Sequence, residues 1–89
     1  MSYLQISDQD TVIAYGYPKI SFTPNQLSIA AIPGMSAKIT IPIPQTSQVK
    51  TDTYYRWNRI QFNYNKKHYV FLYNNCRNFD YYFKENSPD

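Results

Sequence analysis

Apolar and polar residues alternate along most of this chain, and almost nowhere do they follow a helical period. No window repeats apolar residues at i, i+3, i+4 and i+7 over three turns, while β-branched and aromatic residues are common. The alternation predicts short strands at residues 12–15, 19–22, 27–31, 37–43, 54–64, 68–73 and 79–83. Turn formers punctuate them: Gly16 and Pro18, Pro24-Asn25, Pro33-Gly34, and the polar run QTSQVKTD, which reads as a loop. Pro42 and Pro44 cannot donate to a ladder, so the end of the 37–43 strand must lie at an edge or leave the sheet. The first ten residues carry turn formers and acids and read as an N-terminal arm. Strands at this spacing predict an all-β fold, a small barrel or sandwich.

The longest alternation, Tyr54 to Tyr64, divides into two faces. Ile60, Phe62 and Tyr64 form the core side. Tyr55, Trp57, Arg59, Gln61 and Asn63 fall on the other. A turn at Asn65-Lys66-Lys67 then leads into HYVFLY, so the pair reads as a hairpin. The second face is the candidate ligand-binding set: its rings supply apolar area, and its amides and guanidinium bond polar edges, which suits a sugar or an extended peptide. Packing of that face against another strand is the competing expectation.

Size sharpens the picture. An 89-residue chain buries only roughly 60% of the surface its unfolded form exposes. Its ten Tyr, five Phe and one Trp are the economical way to fill so thin a core. The net charge is +3, and no acid lies between Asp52 and Asp80, where Arg56, Arg59, Lys66, Lys67 and Arg77 all fall. Such a field favours anionic partners, nucleic acid or acidic wall polymers, although cations on a small domain also simply keep it dissolved.

Candidate chemistry is sparse, and the chain reads as a non-enzyme. The one cysteine, Cys76, has no second thiol for a disulfide or a metal site. The one histidine, His68, has no nucleophile frame around it, and its nearest acids in sequence are distant. With Gly16 and Gly34 the only glycines, no phosphate-cradling loop can be built in the usual manner. No catalytic residue, metal or cofactor is expected. The N-terminus lacks a basic region followed by an apolar run, and no stretch approaches the ~20 apolar residues of a membrane span. The expectation is a protein made in the cytoplasm without a signal peptide, and no membrane partner.

Tyr55 and Trp57, the alternating strand to Tyr64, the turn at Asn65 and Tyr69-Val70 on the return strand resemble bacterial SH3-type domains attached to cell-wall hydrolases of Gram-positive bacteria and their phages. In that family glycine usually stands where this chain has Asn65. Upstream, Ile29 and Pro33 in LSIAAIPG are similar to the family's Ile-x-x-x-Pro segment. The resemblance implies an SH3-like barrel of five to seven strands over residues 11–83, with an arm at 1–10 and a tail at 84–89. It also implies a non-catalytic module that binds bacterial cell wall, peptidoglycan peptide or an associated polymer, after release from the cell. Two other readings stay open: a small inhibitor or adaptor that binds a protein or its own copies, and a barrel that stacks single-stranded nucleic acid on aromatics along a basic groove.

Overall fold

The computed structural model describes residues 2–35 and 37–74. The predicted strand at 79–83, Cys76 and the C-terminal tail lie outside the described residues.

Eight strands and one short 3-10 helix follow in order: β1 (Ser2–Asp8), β2 (Thr11–Gly16), β3 (Lys19–Thr23), β4 (Gln26–Ala30), β5 (Ile39–Pro42), the 3-10 turn Ile43–Gln45, β6 (Ser47–Tyr54), β7 (Trp57–Tyr64) and β8 (Lys67–Tyr73). The described residues are thus all-β, with no α-helix. They sort into two antiparallel sheets, one ordered β2-β1-β8-β7-β6 and the other β3-β4-β5.

Alternation builds the core. Leu4 and Ile6 on β1, Ile60 and Phe62 on β7, and Tyr69, Phe71 and Tyr73 on β8 all point to one side of the larger sheet. Leu27 and Ile29 on β4, with Ile41 and Ile43, meet them from the smaller sheet. Phe62 stacks on Tyr69 with centroids 5.3 Å apart and on Phe71 at 6.0 Å. Nearly parallel rings at these spacings fill a thin interior more completely than branched aliphatics can.

The prolines act as their chemistry requires. Pro42 is the last residue of β5, an edge strand, and the chain then leaves the sheet through the 3-10 turn. The buried Thr46 closes that turn, its Oγ1 donating to the Ile43 carbonyl at 2.7 Å. The expected 37–43 strand is therefore shorter at both ends.

Three expectations are corrected. Residues 1–10 are not an arm: β1 pairs on both sides, with β2 and with β8, and its Leu4 and Ile6 are fully buried. The polar run QTSQVKTD is not a loop, since most of it forms β6, an edge strand that needs one side chain, Val49, to reach the core. The single strand expected at 54–64 is two strands, with Tyr54 pairing Trp57 across a turn at Tyr55-Arg56. These two residues carry no ordinary turn signal, and Tyr55 takes a φ of +51° to make it. Hence the described residues alone hold eight strands, where five to seven were expected for the barrel.

Candidate functional site

Only one face of the five-stranded sheet is covered by the smaller sheet. Its outer face is assembled from the alternate residues of five strands, and the register fixes which of them are neighbours. Across β1, β8, β7 and β6 one row runs Tyr3, Leu72, Arg59, Asp52, and the next runs Gln5, Val70, Gln61, Lys50. A third runs Ser7, His68, Asn63 and, from β6, Gln48. All the side chains of β8 and β7 in these rows are half-buried.

The third row is tied together. Asn63 Nδ2 donates to Gln48 Oε1 at 2.9 Å, and Asn63 Oδ1 lies 2.8 Å from His68 Nδ1. The other ring nitrogen, Nε2, lies 3.0 Å from Gln61 Oε1. Each ring nitrogen therefore faces an amide oxygen at hydrogen-bond distance.

Backbone irregularities flank this row on both sides. The β1–β2 register slips between Ile6 and Ser7, giving β2 one extra residue at Ile13. The β6–β7 register slips between Ser47 and Lys50, again with one extra residue, and Gln48 takes a φ of +52° there. Bulges re-aim side chains, and this one turns Gln48 onto the outer face beside Asn63 while Val49 turns into the core. A glutamine at positive φ costs on the order of 1–2 kcal/mol, so the geometry is retained against a local preference.

Of the sequence-predicted residues, Trp57, Arg59, Gln61 and Asn63 stand in line on the outer face of β7. Tyr55 does not join that line. It is 83% exposed at the tip of the β6–β7 turn, edge-on to Tyr54 with centroids 4.7 Å apart. Arg59 is already engaged: its Nε donates to Asp52 Oδ1 at 2.8 Å and its Nη2 to Oδ2 at 2.5 Å, and the guanidinium lies 5.1 Å from the Tyr54 ring centre. The hydrogen bonds from Arg59 hold the Asp52 carboxyl below its usual range, and Asp52 in turn raises the Arg59 guanidinium. The bidentate pair fixes the planar guanidinium against the sheet, where it offers a flat polar surface more than a free charge.

A half-open groove of about 590 Å³ adjoins this face at the end where the β1–β2 and β7–β8 turns stand side by side. Ser7, Asn63 and His68 floor it, with Gln9 and Asp10 on one wall and Lys66 and Lys67 on the other. Sequence reasoning did not find Gln48, or the groove wall at Asp10. Leu4 and Ile6 alternating with Gln5 and Ser7 were the available signal for β1, masked by the turn formers around them.

A separate apolar patch lies on the free edge. Val12, Ile13, Tyr15 and Tyr17 are 47%, 49%, 63% and 59% exposed, and with Tyr3 and Pro33 they border a second hollow of about 550 Å³. Among the described residues no group of three or more His, Cys, Asp and Glu is arranged to hold a metal ion, and no helix is long and apolar enough to cross a membrane. Comparison of the chain with protein-family models, with curated proteins and with solved structures finds no match.

Proposed function

We propose that this chain is a non-catalytic binding module that grips bacterial cell wall, peptidoglycan or an associated polymer, with the outer face of its five-stranded sheet. The observation that carries the reading is the hydrogen-bonded cluster Gln48–Asn63–His68–Gln61, with Trp57 farther along the same face of β7, on a side the second sheet leaves uncovered. Amides fixed in place lose little freedom when they bond a ligand's hydroxyl or peptide groups, and the half-buried indole farther along β7 adds apolar area for an extended ligand. An extended polymer suits a face whose polar groups run in rows across four strands. An SH3-like barrel is the finer architecture we assign: eight short strands in two sheets, changing sheet after β2 and again at the 3-10 turn, are in keeping with it.

Co-sedimentation with purified Gram-positive cell walls tests the reading, with labelled single-stranded DNA and RNA in parallel. Saturable wall binding that survives 0.3 M salt, roughly the range where exposed charges are screened within 10 Å, supports it. Trp57→Ala is expected to weaken that binding several-fold. Absence from every wall type refutes it.

A second reading has its own observation. The exposed apolar side chains of the β2 edge are the kind of patch that marks a protein interface, which favours a protein-binding inhibitor or adaptor. Capture of a single protein by the wild-type chain, lost in Tyr15→Lys, would establish that reading in place of the wall module.

A further inference from the structure

Two tight turns wall the groove at the end of the outer face, and both are built at the expense of local preference. Gln9 and Asp10 join β1 to β2 with φ values of +50° and +67°, and Asn65 and Lys66 join β7 to β8 with +53° and +66°. Two consecutive positive φ angles in a two-residue loop are the mark of a type I′ turn, where glycine is the favoured second residue. Here the second positions hold Asp10 and Lys66 instead. Asparagine and aspartate tolerate this region, but lysine has no such excuse.

The register explains what these side chains face. Ser7 of β1 lies opposite His68 of β8, so the end of β1 and the start of β8 coincide and the two turns flank one another. The groove runs between them, with Asp10 on one side and Lys66 and Lys67 on the other. Among the described residues the ion pair is Arg59–Asp52, and none of these three groups takes part in one. Between them the groove is lined by Gln5, Ser7, Val12, Asn63 and His68, which carry no carboxylate or ammonium, and the His68 ring and the Asn63 amide already lie within hydrogen-bond distance of one another.

We propose that this groove binds a short free peptide, a zwitterion with its ammonium toward Asp10 and its carboxylate toward Lys66 and Lys67. A lone anion would use the lysines but meet Asp10 across the groove, and a lone cation would meet two ammonium groups. A ligand carrying both charges, a short distance apart, uses all three groups, and its peptide unit crosses Ser7, Asn63 and His68 while a small apolar side chain can meet Val12. The volume of about 590 Å³ lies within the range of roughly 300–1,000 Å³ usual for small-ligand sites and holds a short peptide. This inference shares Asn63 and His68 with the wall reading but turns on Asp10, Lys66 and Lys67, which that reading does not use, so free peptides test it separately.

The test is an NMR titration of the whole chain with alanyl-alanine, with its N-acetylated form, with its C-terminal amide and with inorganic phosphate. The expected result is saturable shifts at the amides of Ser7, Asp10, Lys66 and His68 with the free dipeptide. Either blocked form should bind about tenfold more weakly, the loss of one charge-assisted contact. Asp10→Gly and Lys66→Gly place glycine where the turn prefers it, so both variants keep the fold. Asp10→Gly should abolish the preference for the free over the acetylated dipeptide, and Lys66→Gly should reduce the preference for the free carboxylate over the amide. Phosphate binding as tightly as the dipeptide, blocked forms binding equally well, an oligonucleotide competing for the same amides, or no shift at the groove would each overturn the proposal. Failure here leaves wall binding through Trp57 to be judged by its own assay.

Discussion

His68 and Asn63 stand directly opposite one another on β8 and β7, the ring Nδ1 2.8 Å from the amide oxygen, and Asn63 also reaches Gln48. One amide thus connects the centre of the outer face to its bulged edge. Asn63→Ala removes both bonds and leaves a half-buried imidazole with one partner. The stability cost is expected to be about 1–2 kcal/mol, read by urea denaturation. The same variant should lose wall affinity several-fold, whereas Asn58→Ala, on the opposite side of the same strand, should not.

Gly16 meets Pro33 at the place where β2 gives way to the second sheet. Its φ is +146°, and a Cβ built there would lie 2.9 Å from the proline ring. Gly16→Ala is expected to destabilise by on the order of 1–3 kcal/mol. Gly34, at φ +82° with open space around it, is the control: Gly34→Ala carries backbone strain without the clash and should cost less. Thermal melts of the two variants check the order.

Asp52 links the fold to acid. Arg59 holds its carboxyl below the ordinary value of 3.8, so the pair's contribution is complete above that pH and is lost as pH falls through the lowered value. Carboxyl resonances followed by NMR should show Asp52 titrating below the ordinary value of 3.8 on acidification. In Arg59→Gln it should titrate near the ordinary value.

Tyr69 behaves in the opposite sense at the alkaline end. Burial raises its phenol above 10.0, with Tyr64 contributing, so the neutral ring stabilises the fold below pH 10 and that contribution fades as pH rises through the higher value. Phenolate absorbance should reveal a tyrosine ionising above the ordinary value of 10.0, and Tyr69→Phe should remove it. Truncating its stacking partner is a larger change: Phe62→Ala is expected to cost about 3–5 kcal/mol and to threaten folding altogether.

The parts of this architecture that were legible in the sequence are those governed by alternation alone. Ile60 and Phe62 against Gln61 and Asn63, the hairpin through Asn65, and the exit of the chain at Pro42 follow from period-two patterning and from the missing donor of proline. What escaped was set by tertiary context. β6 is polar because an edge strand needs only Val49 inside, so its sequence resembles a loop. β1 has turn formers around a short apolar pair, yet it is central because β2 and β8 both pair with it. The turn at Tyr55-Arg56 has no glycine, proline or asparagine, and it moves Tyr55 away from the row in which alternation placed it. The candidate site shows the same division. Trp57, Arg59, Gln61 and Asn63 do share a face, but the partnering of Arg59 by Asp52 and of Asn63 by Gln48 depends on pairing between β6 and β7 that no local signal announces.

Amide chemical-shift mapping with soluble cell-wall fragments reads out whether ligand meets the outer face of the five-stranded sheet. The account predicts shifts concentrated at Trp57, Gln61, Asn63 and His68, with Ser21 and Thr40 on the smaller sheet unmoved. Shifts confined to the smaller sheet or to the β2 edge, or a spectrum unchanged at saturating fragment, would contradict it.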